Sequence, residues 1–298
     1  MQNHPQSREF QWNVLNLLKW ATNYFKSRDI DSPRSTAEIL LASALQMERI
    51  ELYIRYDQPV TRNELSAFKA LIIRRIKHEP VAYILGSKEF WSKELLVNQS
   101  VLIPRPETEC LVETALCRIS CGFPMKILEL GTGSGAVSIA LASERSDHRF
   151  YASDRSEEAI RIAVTNAKRH QLQHRICFFV GDWFQALKEN SDSFDMIISN
   201  PPYIRTSDIP LLQPEISQYE PRVALDGGED GLQWIRHIIL NAHRFLKPGG
   251  EILLEIGHDQ KESIQKIVEP LIWYERPDFS MDYSGIDRIV RIRKKAEG

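Results

Sequence analysis

The sequence predicts an α/β protein in which a mostly parallel sheet is covered by helices on both faces and preceded by a small helical domain. Three observations carry this expectation. Apolar residues near the amino terminus recur at helical spacing. From about Pro124 onwards, short apolar runs alternate with helical patterns, as in units of parallel strands joined by helices. One of those runs opens directly into a glycine-rich loop, Gly131-Thr132-Gly133-Ser134-Gly135.

In chain order, Phe10, Val14, Leu17, Leu18, Ala21, Tyr24 and Phe25 mark the first helix. Ser35 with Glu38, and Thr61 with Glu64, match the capping boxes that start further helices. Glu79-Pro80 is expected to end the helical domain, because the residue before a proline leaves the α region. These signals assign residues 1–80 to the helical domain and 81–107 to a linker with a short hairpin, in which Phe90-Trp91 sits in a short alternating strand. Residues 108–298 form the α/β domain, entered through a helix over 110–119. Strands follow at Lys126-Ile127-Leu128-Glu129-Leu130, Phe150-Tyr151-Ala152-Ser153, Ile176-Cys177-Phe178-Phe179-Val180 and Asp195-Met196-Ile197-Ile198-Ser199. A helix over 232–245 is punctuated by Lys247-Pro248-Gly249-Gly250 before a strand over 251–256. Ile272-Trp273-Tyr274 and 288–292 are expected to pair as an antiparallel edge.

Composition limits the function classes. The chain has 298 residues, 43% of them hydrophobic, which suffices for a large core and a small one. Its net charge of -2 argues against a broad phosphate-facing surface, so no direct nucleic-acid binding is expected. Residues 1–85 carry 12 Lys and Arg against 9 Asp and Glu, and Arg74, Arg75 and Lys77 read as a solvated basic helix face. No apolar stretch has the length of a membrane span, and the start of the chain, with Glu9, lacks the layout of a signal peptide. A cytoplasmic protein is expected. Cys110, Cys117, Cys121 and Cys177 include no Cys-x-x-Cys pair, so they read as buried free thiols and no metal is expected. His258 is the histidine expected near the edge of a site.

The chemistry concentrates at strand ends. Asn200-Pro201-Pro202-Tyr203 follows an apolar strand that two prolines cannot continue, which puts Asn200 at the carboxyl edge, where open α/β sheets bind ligands. A planar nitrogen, in an amide or an exocyclic base amine, is weakly nucleophilic until acceptors hold its N–H groups. Asn200 offers a carboxamide oxygen, Pro201 a backbone carbonyl without a competing N–H, and Tyr203 a ring face for stacking. A plain proline turn is the bland alternative. Upstream, the glycine loop lets the backbone approach a ligand at a helix amino terminus, and Asp154, ending the next strand, fits the acid that holds ribose hydroxyls in Rossmann-like units. Gly131, Gly133 and Ala136 also satisfy the dinucleotide pattern of a dehydrogenase. Asp182 and Trp183, after the third strand, supply a carboxylate for an adenine amine and an indole to cover the ring; singly they read as a turn former and a core aromatic. Together the three strand ends favour adenosine.

These residues, with Gly86-Ser87-Lys88-Glu89-Phe90 and Ile103-Pro104-Arg105-Pro106-Glu107-Thr108-Glu109, resemble the HemK/PrmC-like family of glutamine methyltransferases over nearly the whole chain. The resemblance implies a Rossmann-like class I S-adenosylmethionine methyltransferase sheet behind a helical substrate-recognition domain. It implies methylation of the side-chain amide (N5) of the glutamine in the Gly-Gly-Gln motif of class 1 peptide-chain release factors, with S-adenosyl-L-methionine as cofactor. Gly131, Thr132, Gly133, Ser134, Gly135, Asp154, Asp182, Trp183 and Asn200 are then the cofactor residues. Asn200, Pro201 and Tyr203 are catalytic, and with Pro202 and Phe90 they bind substrate, Phe90 as a wall of the glutamine pocket. The segment of Arg105, Glu107 and Glu109 is placed near the cofactor's methionyl end. Glu220-Pro221-Arg222, Leu225-Asp226-Gly227-Gly228 and Asp230-Gly231-Leu232 are read as loop and helix entry. A ribosomal-protein glutamine methyltransferase shares these motifs, a nucleic-acid amine methyltransferase shares those around the cofactor, and a binding protein without catalysis is disfavoured by the intact Asn200 to Tyr203.

Overall fold

The computed structural model describes residues 11–119, 123–188 and 194–296, so Glu9, Phe10 and Cys121 lie outside the described residues. The chain divides between Leu85 and Gly86 into two compact units.

The first unit contains α1 (Val14–Lys26), α2 (Pro33–Leu45), α3 (Glu51–Ile54), α4 (Arg62–Arg75) and α5 (Val81–Leu85). The side chain of Asn13 caps α1 by accepting from the Asn16 N–H at 2.8 Å. Val14, Leu17, Leu18, Ala21 and Phe25 turn inward and join Leu40, Leu41, Phe68 and Ile72 in one core. Tyr24 stays at its margin, stacked on Trp20. The Thr61–Glu64 capping box is present in both directions. The one expected at Ser35 is not, because Pro33 occupies the first turn of α2, where its missing N–H goes unneeded, and Ser35 falls inside the helix.

Glu38 is buried instead, and accepts from Tyr53 Oη at 2.5 Å, Arg34 Nε at 2.5 Å and an Arg49 nitrogen at 2.7 Å. Burial pushes its carboxyl up, but these donors outweigh it and hold the group at about 2. Pro80 likewise begins a helix where a linker was expected, since the Tyr83 and Ile84 N–H groups both donate to its carbonyl at 3.0 Å. Arg74 forks onto the Glu79 carboxylate at 2.6 and 2.8 Å and reaches the carbonyls of Tyr83 and Ile84. Arg75, 2% exposed, donates to the Glu79 carbonyl. Of the expected solvated basic face, Arg74 therefore ties α4 to α5 and Arg75 ties α4 to the turn between them.

The second unit opens with a hairpin of β1 (Ser87–Phe90) and β2 (Lys93–Leu96). Trp91 and Ser92, with φ of 51° and 54°, form its two-residue turn, so Trp91 lies outside the strand assigned to it. The main sheet comprises β3 (Lys126–Leu130), β4 (Arg149–Asp154), β5 (Ile176–Val180), β6 (Phe194–Ser199), β7 (Leu246–Glu255), β8 (Asp278–Met281) and β9 (Asp287–Arg293), in the order β5-β4-β3-β6-β7-β9-β8. β3 to β7 run parallel, and β9 and β8 close one edge antiparallel. Adjacent β3 residues pack on opposite faces. Ile127 joins residues of α6 (Glu109–Arg118), α7 (Ala136–Glu144) and α8 (Glu157–Arg169), whereas Leu128 joins those of α10 (Gln233–Ala242) and α11 (Lys261–Val268). A one-turn helix, α9 (Pro214–Ser217), precedes α10.

Three details differ from the pattern reading. The run Lys247 to Gly250 lies inside β7, where the register against β6 shifts, rather than in a free turn. Ile272 to Tyr274 forms no edge strand: Tyr274 makes a single bridge to Lys294 and buries its ring, donating to the Ile239 carbonyl, and 278–281 takes the edge. Cys110 is buried, but Cys117 and Cys177 are exposed. Among the described residues no helix is long and apolar enough to cross a membrane.

Glu38 contributes to the acid sensitivity of the first unit. Its folded value lies below its unfolded one, so its contribution is present at neutral pH and is lost as pH falls through about 4 towards 2. Glu38→Ala is expected to lower unfolding stability by roughly 2 kcal/mol at pH 7, with the gap to wild type narrowing below pH ~4 in thermal denaturation across pH; a gap independent of pH would contradict this.

Candidate functional site

The strand register decides which residues meet. Leu130 is level with Ser153 on β4 and Ser199 on β6, and Ser199 is level with Leu254 on β7. The next residues, Gly131, Asp154, Asn200 and Glu255, therefore emerge side by side at the carboxyl edge. A cavity there is lined by Gly131, Thr132, Gly133, Ser134, Asp154, Asp182, Trp183, Asn200 and Pro202, together with Leu102, Thr108 and Glu129. A second cavity of about 340 Å³ adjoins it, lined by Asn200, Pro201, Tyr203, Leu102, Arg105, Glu107, Glu255 and Arg288. Asn200, Leu102 and Arg105 border both.

The first cavity is a built cradle. Gly131 and Gly133 take φ of 70° and 55°, the left-handed region a side chain resists. The Gly133 N–H donates to Asp154 Oδ2 at 2.9 Å and the Ser156 N–H to Oδ1 at 2.9 Å, so the loop and the start of α8 hold the Asp154 carboxylate in place. Burial pushes that carboxyl up, and the same N–H donors oppose it. Among the described residues, Asp182 Oδ1 is buried without a hydrogen-bond partner, an acceptor suited to an amine. Trp183 stacks on Trp234, ring centroids 5.2 Å apart, and presents a flat wall. An adenosine-containing cofactor fits this donor and acceptor set: the Asp182 oxygen for a base amine, the Trp183 indole for its ring, Asp154 for ribose hydroxyls. Gly135 lines neither cavity. Its φ is 83° and an added Cβ would meet Ala163 at 3.1 Å, so it serves the close approach of α7 to α8.

Glu129 escaped the pattern reading because it lies inside an apolar strand. It is 5% exposed and accepts from Thr132 Oγ1 at 2.7 Å, the Ser138 N–H at 3.1 Å and the Ser138 hydroxyl, which fastens the glycine loop to the first turn of α7. Burial pushes it up to about 7, against those three hydrogen bonds.

The second cavity is organised around Glu255, which is 1% exposed. It accepts from Thr108 Oγ1 at 2.7 Å and Tyr203 Oη at 3.2 Å, and the Asn200 Nδ2 donates to Thr108 Oγ1 at 3.1 Å. Burial, then the Glu255 charge, pushes the Tyr203 phenol well up, so it stays a protonated donor. Arg105 pairs with Glu220 at 2.5 Å, clamping the segment before α6 to the loop after α9. Glu109 instead accepts the Trp91 N–H at 2.9 Å, away from the cavities. The 225–228 stretch is more than loop: Gly227 donates to the Ile204 carbonyl at 2.8 Å, and a Cβ on it would press on Tyr203 Cα at 2.8 Å and the Pro202 carbonyl at 2.9 Å.

Two expected residues fall elsewhere. Phe90, 2% exposed, packs with Leu95 and Leu111 in the core and lines neither cavity; its strand turns that face inward, and Leu102 holds the wall position. His258 is exposed and lines neither cavity, whereas His237 lies 6.1 Å from the Trp183 ring.

Comparison with known proteins agrees along the chain. Residues 16–86 match the PrmC N-terminal domain and residues 124–276 a methyltransferase domain. A release factor glutamine methyltransferase of Geobacter sulfurreducens is 39% identical over 284 residues, covering 94% of this chain and 96% of its own. One of Salmonella typhimurium is 41% identical over 265 residues, covering 88% and 92%. A methyltransferase structure from Pyrococcus furiosus matches with a TM-score of 0.50 at 19% identity, over 78% of this chain and 100% of that one, a likeness of fold.

The buried Glu129 makes a signed prediction. Its folded value lies above its unfolded one, so the folded state holds the extra proton and stability falls as pH rises from about 4.5 to 7. Glu129→Gln keeps the acceptor oxygen without the charge and is expected to be more stable than wild type at pH 8, by up to roughly 3 kcal/mol, and equal to it near pH 4; the reverse order at pH 8 in denaturant melts would count against the assignment.

Proposed function

The chain belongs to the release factor glutamine methyltransferases, and from that premise we propose that it methylates N5 of the glutamine in the Gly-Gly-Gln motif of class 1 peptide-chain release factors. S-adenosylmethionine, held in the first cavity, supplies an electrophilic methyl group on a sulfonium. The observation that carries this reading is Asn200, which borders both cavities and so stands where a cofactor's reactive end and a second cavity's occupant meet.

An amide nitrogen has little nucleophilicity while its lone pair is delocalised into the carbonyl. The site answers by holding both N–H groups as the nitrogen turns tetrahedral. Asn200 Oδ1 accepts one, and the Pro201 carbonyl, on a residue with no N–H of its own, accepts the other. Tyr203, its phenol tethered to Glu255 at 3.2 Å, offers a ring face for the flat amide. These acceptors strengthen as positive charge develops on nitrogen, so their effect falls on the transition state. In the transfer, an N–C bond forms as the S–C bond breaks and S-adenosylhomocysteine leaves. The alkylated nitrogen, now acidic, gives its proton to water. The helical unit is assigned to recognising the protein substrate in the cytoplasm.

Mass spectrometry of unmethylated release factor, incubated with the protein and S-adenosylmethionine, tests the reading. One methyl on the Gly-Gly-Gln glutamine is expected, and none on a ribosomal protein or bulk nucleic acid assayed in parallel; methyl appearing only on another acceptor overturns the substrate. Asn200→Ala is expected to lower kcat by roughly 10²–10³-fold while calorimetric affinity for S-adenosylmethionine changes little. A loss of affinity as large as the loss of rate would remove Asn200 from the acceptor role.

A further inference from the structure

Asn200 serves as an acceptor only if its oxygen, not its nitrogen, faces the substrate. A side-chain amide is nearly symmetric in shape, so its orientation is set by the hydrogen bonds behind it. Those bonds are the chain Asn200 Nδ2 to Thr108 Oγ1 at 3.1 Å and Thr108 Oγ1 to Glu255 Oε2 at 2.7 Å. Thr108 is 4% exposed and Glu255 is 1% exposed, so both groups are largely withdrawn from bulk solvent. The polarity of the chain follows from proton counting. A hydroxyl has one proton, and Glu255, which takes the Tyr203 phenol proton at Oε1, lies 2.7 Å from Thr108 Oγ1 as its acceptor at Oε2. The Thr108 proton therefore goes to Glu255, and what Thr108 shows Asn200 is a lone pair. Only the amide N–H answers a lone pair; with the amide turned over, two oxygens would face each other about 3 Å apart.

We propose that Thr108 and Glu255 are positioning residues that hold Asn200 as an acceptor, and that this makes the site select a glutamine side chain over a glutamate. The inference rests on the reading of the reaction as amide methylation. A glutamine nitrogen brings two N–H groups to the oxygens of Asn200 and Pro201. A glutamate carboxylate brings no proton, meets two acceptors, and is repelled where glutamine is bound. Without the Thr108 hydroxyl, Asn200 is free to turn its NH₂ outward, and the preference weakens.

The test uses the full-length protein as wild type, Thr108→Val and Thr108→Ser. Valine keeps the shape and removes the hydroxyl; serine restores it. The substrates are release factor and the same factor with its Gly-Gly-Gln glutamine replaced by glutamate, the latter as a competitive inhibitor. For Thr108→Val, kcat is expected to fall roughly tenfold or more, with the inhibition constant of the glutamate factor, relative to KM for the glutamine factor, falling several-fold; Thr108→Ser should restore both. An unchanged kcat, a loss not restored by serine, or an unchanged glutamate-to-glutamine ratio overturns the proposal. An independent readout separates it from the reaction itself. In ¹⁵N-labelled protein without substrate, the Asn200 side-chain amide, identified by its disappearance in Asn200→Asp, should show one exchange-protected N–H that Thr108→Val abolishes; if wild type shows none, the relay fails. Wild type that leaves release factor unmethylated would instead sink the substrate reading, whatever the amide signal shows.

Discussion

The parallel register of β3, β4, β6 and β7 is the constraint on which the site depends. Backbone ladders fix each strand against the next, and a slip by one residue would send every side chain to the other face. With Leu130, Ser153, Ser199 and Leu254 level, four chemically distinct residues leave the sheet in one row: Gly131, Asp154, Asn200 and Glu255. No local signal places Asn200 beside Glu255. Their meeting follows from the pairing of β6 with β7, whose register sets Ser199 level with Leu254 so that the residues after them stand side by side.

Four acids along that edge, Glu129, Asp154, Glu220 and Glu255, have lost much of their solvent, and burial raises all of them. Each is held by donors from a loop. Glu129 takes Thr132 and Ser138, Asp154 takes the backbone of Gly133 and Ser156, Glu220 takes Arg105 and the Ile103 N–H, and Glu255 takes Thr108 and Tyr203. A buried acceptor left without donors costs more than a satisfied one contributes, so each acid compels its loop into one conformation. Irregular segments with few apolar residues are thereby made rigid next to the chemistry.

Much of this was legible in the linear pattern. Apolar runs with turn residues at their ends located β3 to β6, and the glycine loop, Asp154, Asp182 and Asn200-Pro201-Pro202-Tyr203 were visible as strand-end residues. The failures share a physical cause. Ser35 and Glu38 match a capping box by spacing alone, but Pro33 starts the helix earlier and Glu38 turns to Arg34, Arg49 and Tyr53. Arg74 and Arg75 look like solvated charge until the chain turns back, α5 offering carbonyls to Arg74 and Glu79 offering one to Arg75. Phe90 and Leu102 are both apolar neighbours of the motifs, and only the packing of the hairpin shows that the first is core and the second is wall.

By itself the sequence determined the class of fold, the order of its elements and the residues that end the central strands, because hydrophobic periodicity, glycine and proline act over a few positions. Tertiary structure alone decided which of those residues face one another. Glu129 is hidden in an apolar strand, Thr108 in a proline-rich approach and Glu255 at the end of the fifth parallel strand; Thr108 and Glu255 lie 147 positions apart, yet the Thr108 hydroxyl donates to Glu255 at 2.7 Å. Long-range pairing brings such groups together, and no local propensity records it.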